Sequence, residues 1–273
     1  MVRLNDFNEA SKLAFSYMKP GVLTNHVMTA DEYRAEIEAG ALYAHTWPGG
    51  ILFLRSRGEY QLLSYYINDA AILPDCELPI DAVTEIAFKP SGLGSAKKAI
   101  QFWEQVGLKR ALERIRLTRH ATSLVGANGV CPLSSSLAPN GKPVAFAMPQ
   151  DANDCQKLIN TSFDPITGHI PTYLEIKASI AESNILCIKD SCGKVCGLLR
   201  CVKRVASVEI RQLALREDMR GQGLAHKLLN AFNEKWGSNK STVWMWDGNV
   251  PALKAYTSAG FTADGWRSVV LTF

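Results

Sequence analysis

The run Leu213-Ala-Leu-Arg-Glu-Asp-Met-Arg-Gly-Gln-Gly-Leu-Ala225 constrains this chain more than any other stretch. An apolar strand-like segment breaks into a glycine-rich turn and restarts as a helix. Gly221 and Gly223 let backbone N–H groups crowd toward an anion without interference from Cβ, and the helix beginning near Leu224 adds the positive end of its dipole. Arg220 adds a fixed positive charge. The turn is suited to a phosphate. An ordinary strand-to-helix connection uses the same residue types, so the rest of the chain has to decide.

Length and charge narrow the classes of partner. The 273 residues can bury one large core or two modest ones. The net charge of +4 is spread along the chain rather than gathered in a basic run. That pattern calls for neither nucleic acid nor an anionic membrane; a small anionic ligand suffices. No apolar run approaches the roughly 20 residues of a membrane span, and Met1-Val-Arg-Leu-Asn-Asp lacks the apolar core of a secretory signal. The cytoplasm is the expected compartment. The cysteine count, seven, is odd, and Cys187, Cys192, Cys196 and Cys201 contain no CxxC pair, so free thiols are expected and no metal.

Periodicity divides the chain into two halves. Helical spacing over 3–19 stops at Pro20-Gly21, and Thr29-Ala-Asp-Glu32 has the form of a capping box. Strands are expected at 41–46, 51–57, 60–67, 82–88 and 110–118, with a helix over 96–106. Residues 121–142 turn to Ser, Gly, Asn and Pro without periodicity. The expected organisation is a first domain over 1–125, a linker over 126–145 and a second domain over 146–273. In the second half, helices are expected at 151–160, 173–181, 224–236 and 251–259 and strands at 185–189, 197–202, 208–215, 241–246 and 267–273. This is an α/β pattern.

The halves echo one another. Ala99-Ile-Gln-Phe-Trp-Glu-Gln-Val-Gly-Leu108 aligns with Ala252-Leu-Lys-Ala-Tyr-Thr-Ser-Ala-Gly-Phe261 at an offset of 153 residues, which implies a duplicated domain. Trp103 then stands where the second half has Tyr256, Ala96 stands for Asn249, and nothing in the first half matches the Arg-Gly-Gln-Gly turn or its helix.

With those elements in place, the second half resembles the GNAT superfamily of N-acetyltransferases over 146–273. The family's acyl-CoA motif, Arg/Gln-x-x-Gly-x-Gly/Ala, is met by Arg220-Gly-Gln-Gly-Leu-Ala225, after Leu213-Ala-Leu215 at the place of the family's splayed strand. Asn249, Ala252, Tyr256 and Gly260-Phe261 match its later motif. The resemblance implies an α/β (α+β) fold of two tandem GNAT-like domains, each a mixed, mostly antiparallel twisted sheet flanked by helices, the first degenerate.

It implies, further, that acetyl-CoA is the cosubstrate and an amine the acceptor. Arg220, Gly221, Gln222, Gly223, Leu224 and Ala225 would hold the pyrophosphate, Leu213, Ala214 and Leu215 the pantetheine arm, with Asn249 and Ala252 completing the site. Such a protein places an amine beside the thioester, removes its proton and stabilises an oxyanion, for which the amide of Leu215 or its neighbour is the expected donor. Tyr256 occupies the family's general-acid position, and Glu209 lies where several relatives place a base; Asp247 and His169 are further candidates. Trp244 and Trp246 share one side of their strand and either pack the core, the commoner use, or wall an acceptor pocket.

The expected activity is direct acetyl transfer to a primary amine of a small molecule or peptide. The alternatives are a non-catalytic acyl-CoA-binding sensor or interaction module and, at the level of substrate, an antibiotic-modifying enzyme. A monomer or homodimer is expected, with no nucleic acid or membrane as partner.

Overall fold

The structure is a computed structural model that describes residues 1–58, 60–121 and 143–273. The expected linker over 126–145 lies outside the described residues as far as 142. The chain forms two compact units: one holds 1–113, 165–167 and 266–273, the other 114–164 and 168–265.

The first unit begins with β1 (Val2–Arg3) and α1 (Phe7–Tyr17), whose N-cap Asp6 accepts from the Glu9 amide. After β2 (Leu23–Thr24), the capping box of Thr29 and Glu32 starts α2 (Ala30–Glu38), with both reciprocal bonds formed. An antiparallel meander follows: β3 (Leu42–Trp47), β4 (Gly50–Ser56) and β5 (Gln61–Ile67). β6 (Ala82–Phe88) runs parallel to β5, but pairs with it only at Gln61/Ala82 and Leu62/Val83. Then come α3 (Leu93–Val106) and β7 (Lys109–Arg119). Leu42, Ile51, Phe53 and Tyr66 pack toward α1 and α2, whereas Leu52, Leu63 and Tyr65 pack toward Ile100 and Trp103 of α3. The alternation of the strands thus buries both faces.

The second unit repeats this order without a counterpart of β2 and with one added helix. It runs β8 (Val144–Phe146), α4 (Ala152–Ser162), α5 (Tyr173–Ala181), β9 (Ile185–Lys189), β10 (Val195–Lys203) and β11 (Val208–Leu215). The added helix is α6 (Leu224–Trp236), followed by β12 (Ser241–Trp246), α7 (Val250–Ser258) and β13 (Thr262–Thr272). β8 to β11 are antiparallel, and β12 runs parallel to β11. α4 and α5 cover one face with Leu158, Ile159, Ile176 and Ile180. On the other face α6 buries Leu224, Leu228, Leu229, Phe232 and Trp236, each worth about 1.5–3 kcal/mol relative to exposure.

The last strand of each repeat serves the other unit. β7 follows α3, yet its residues 114–119 pair antiparallel with β12. β13 follows α7, and its residues 267–272 pair antiparallel with β6. The echo between α3 and α7 extends to a left-handed glycine at the end of each helix, Gly107 (φ 116°) as the C-cap of α3 and Gly260 (φ 87°) just after the C-cap Ala259 of α7. Trp103 is fully buried at the position matching Tyr256.

In the first unit the gap where β5 and β6 part is filled by the chain itself. Leu23 and Thr24 pair with Ile67 and Tyr66 of β5. The Asn25 amide nitrogen donates to Thr84 Oγ1 at 2.8 Å and to the Glu85 carbonyl at 3.1 Å, both on β6, while its oxygen accepts from the Tyr65 amide at 3.1 Å. His26 is buried beside it, with Nδ1 2.9 Å from Ser64 Oγ, and burial and nearby Arg55 push its pKa down to about 4. This wedge ties the two strands together across the opening. Between β5 and β6 there is no helix, so the unit has neither an open gap nor a phosphate turn.

Candidate functional site

The second unit keeps the corresponding gap open. β11 and β12 pair from Val208/Ser241 to Ile210/Val243 and then part, which leaves the outer edge of β11 from 211 to 215 without a strand partner. A bulge lies at the parting point. Opposite β10, Arg200 pairs with Gln212 and Cys201 with Ile210, so Arg211 is the extra residue. It switches the faces of the strand: Val208 and Ile210 pack toward α6, and so do Leu213 and Leu215, while Ala214 packs toward α4.

The glycine turn follows directly. Gly221 (φ 74°) and Gly223 (φ 72°) are both left-handed, and a Cβ on either would meet nothing within 4 Å. Backbone conformation, not crowding, is therefore what demands glycine here. Gly223 is the N-cap of α6 and supplies no capping side chain, in contrast to the caps of α1, α2, α5 and α7. Among the described residues, the backbone N–H groups of Gly221, Gln222, Gly223, Leu224, Ala225 and His226 donate to nothing. Arg220 is exposed and makes no ion pair with a described residue, whereas Arg216 is spent on Asp190 and Asp218. Six unpaired amides, a helix N-terminus and a spare guanidinium fit an anion of the size of a pyrophosphate.

Hydrophobic packing brings the later motif to the same place. Tyr256 on α7 shares one cluster with Leu213 and Leu215 of β11 and Leu224 and Leu228 of α6, and its ring meets Phe261 edge-on at 5.6 Å. The residue is 5 % exposed, and burial pushes its phenol well above the usual tyrosine range. The hydroxyl makes no hydrogen bond with a described residue, and it is not one of the fully enclosed polar atoms. Asn249 caps α7, its side-chain oxygen accepting from the Ala252 amide at 3.1 Å. Ala252 is half-buried against the same cluster.

The base candidates are less free. Burial raises the pKa of Glu209, but Arg211 at 2.7 Å and Arg204 at 3.3 Å outweigh it and hold the carboxylate below its usual range. His169, at φ 49°, has Nε2 2.9 Å from Arg114 Nη1. A guanidinium only donates, so that nitrogen's lone pair is occupied. Asp247 is exposed.

Local pattern left two features open. Met245 takes the core position of β12, which turns Trp244 and Trp246 to the other face; Trp246 is 54 % exposed and the Arg116 guanidinium lies 5.7 Å from the Trp244 ring. Of the two uses weighed for these tryptophans, core packing is the one the structure removes. The second feature is Lys227 in the first turns of α6, whose Nζ is enclosed without a partner among the described residues.

No group of three His, Cys, Asp or Glu side chains that could hold a metal occurs among the described residues, and the six described cysteines are free thiols. No described helix is long and apolar enough to cross a membrane.

Residues 181–263 match the acetyltransferase (GNAT) domain family. No curated protein sequence matches the chain. Among solved structures, a GCN5-related N-acetyltransferase from Sphaerobacter thermophilus aligns with a TM-score of 0.56 at 13% identity, over 82% of this chain and 76% of that one. A GNAT-family acetyltransferase from Colwellia psychrerythraea aligns at 0.51 and 14% identity over 99% of this chain and 98% of that one. A GCN5-related N-acetyltransferase from Kribbella flavida gives 0.51 at 12% identity over 86% of this chain and 90% of that one. At such identities the likeness is one of fold, and it spans both units. The open gap, the uncapped α6 and the match to the acetyltransferase (GNAT) domain family over residues 181–263 all fall in the second unit.

Proposed function

We propose that the chain is an acetyl-CoA-dependent N-acetyltransferase that passes the acetyl group directly to a primary amine of a small molecule or peptide. The observation that carries this reading is the run of six unpaired amides at the start of α6, next to an open strand edge. In this reading Arg220 and the amides of Gly221, Gln222, Gly223, Leu224 and Ala225 hold the pyrophosphate. The edge formed by Leu213, Ala214 and Leu215 receives the pantetheine arm, and an amide on it faces the developing oxyanion. Asn249 keeps its amide nitrogen for the same arm, with Ala252 packed beneath.

Tyr256 is the proton donor to the departing thiolate. A phenol whose ionisation is pushed up by burial keeps its proton at neutral pH until a strong base forms beside it. Glu209 orients the incoming amine; its two arginines keep it charged, which suits it to attracting an ammonium better than to accepting a proton.

Thiol release from acetyl-CoA is the test. A panel of primary amines is expected to contain members that accelerate release at least about 100-fold over buffer, the lower bound for positioned acid–base catalysis. CoA binding with no acceleration across the panel would favour the second reading, a non-catalytic acyl-CoA-binding module. The pairing of Glu209 is the observation on that side.

A further inference from the structure

Arg200 is a buried cation that makes no direct ion pair with a described residue. It sits on β10 with 7 % of its surface exposed, on the face covered by α4 and α5. Nε donates to Ser179 Oγ at 2.9 Å and Nη1 to Gln212 Oε1 at 3.0 Å. Both partners are neutral, and no carboxylate among the described residues pairs with it. Buried guanidinium groups are ordinarily compensated, because desolvation disfavours a lone charge. Burial first and then the neighbouring Arg211 charge press its pKa down, and the more distant carboxylates of Glu175 and Glu182 offset this only in part.

The cation is held in place rather than merely tolerated. Gln212 donates through Nε2 to the His169 carbonyl at 3.1 Å, so its oxygen is turned toward Arg200. The third corner of the fork, Nη2, has no partner among the described residues. Nor is Nη2 one of the fully enclosed unpartnered atoms, so it meets space that solvent can enter.

The position of this fork gives it a use. Gln212 follows the Arg211 bulge at which β11 leaves β12, so the fork lies one strand from the open gap. It lies on the opposite face of the sheet from α6 and the phosphate turn. Glu209, which precedes the bulge and alternates with the α6-facing Val208 and Ile210, shares its face. An ammonium and an anionic group of one molecule therefore find opposite charges on one face of the sheet.

We infer that the acceptor is an amine that also carries a carboxylate, of amino-acid type, and that Arg200 Nη2 receives the carboxylate while the amine lies by the gap near Glu209. This deepens the acetyltransferase reading and rests on it. Arg200 is then a specificity-determining residue, with Gln212 and Ser179 positioning it.

The experiment compares matched pairs: amino acids and their carboxamides, which keep the amine and lose the charge. Amidation also lowers the amine's pKa, so free-amine chemistry alone would favour the amides. For wild-type protein kcat/KM is expected to be at least about tenfold higher for the carboxylates, the worth of one charge-assisted hydrogen bond. Arg200→Gln should bring that ratio toward one through a raised KM for the carboxylates, and Arg200→Lys should give an intermediate ratio. Equal rates within the wild-type pairs, or a preference that survives in a folded Arg200→Gln protein, would overturn the inference. If no amine releases thiol, the transferase reading fails separately, and calorimetry of the protein–CoA complex with the same pairs decides. Tighter binding of the carboxylates would support the anion site, and equal binding would remove it.

Discussion

Replacing Gly223 with valine is expected to weaken CoA binding by on the order of 100-fold, the worth of one or two charge-assisted hydrogen bonds, with the fold intact. Gly223 stands at φ 72°, a conformation that β-branched residues rarely adopt. No neighbour would clash with the new side chain, since nothing lies within 4 Å of its Cβ. The effect therefore acts through the backbone, by turning the first amides of α6 away from their common focus. Gly223→Asn, which tolerates left-handed geometry, should retain much more affinity. Calorimetric titration with CoA reads both variants. Binding of Gly223→Val within a few-fold of wild type would show that the turn does not hold the phosphates.

Tyr256→Phe is expected to lower turnover by about 100-fold while leaving the Kd for CoA within a few-fold. The change removes only a hydroxyl that makes no hydrogen bond with a described residue, so packing against Phe261 survives and little stability is lost. Because burial raises the phenol's pKa, ionisation of Tyr256 should cause no fall in kcat up to about pH 10, the ordinary phenol value. Unchanged turnover would reduce Tyr256 to a core residue.

Elements whose periodicity matched their surroundings were legible in the sequence. α5, β9, β11, α6 and β12 occupy 173–181, 185–189, 208–215, 224–236 and 241–246, as the patterns predict. β13 starts at Thr262 rather than 267, because Asp264-Gly265 reads as a turn while Gly265 (φ 82°) lies within the strand. The wedge at Leu23–Asn25 was hidden: two strand residues and one Asn carry no periodicity, and their effect arises only across β5 and β6. The same holds for the exchange of β7 and β13. Each reads as an ordinary final strand, since pairing partners leave no mark on local pattern.

The site shows the same division. The phosphate turn was readable because its chemistry is contiguous, from Arg220 to Ala225. The setting of Glu209 was not. Alternation along β11 looks continuous, and the face switch at Arg211 depends on register with β10. Alternation likewise put Trp244 and Trp246 on one side without saying which, and Met245 took the core. Arg200 lies in an otherwise apolar run, Val195-Cys-Gly-Leu-Leu-Arg-Cys-Val202, where nothing marks its lack of a direct ion pair.

The central claim is that the duplicated fold keeps one acyl-CoA site, in the second unit, while the wedge of Leu23, Thr24 and Asn25 closes the equivalent gap in the first. Calorimetric titration of the full chain with acetyl-CoA tests it most directly. The account predicts one molecule bound per chain, with Gly223→Val weakening that site by on the order of 100-fold. Two equal sites per chain, or binding to Gly223→Val within a few-fold of wild type, would contradict it.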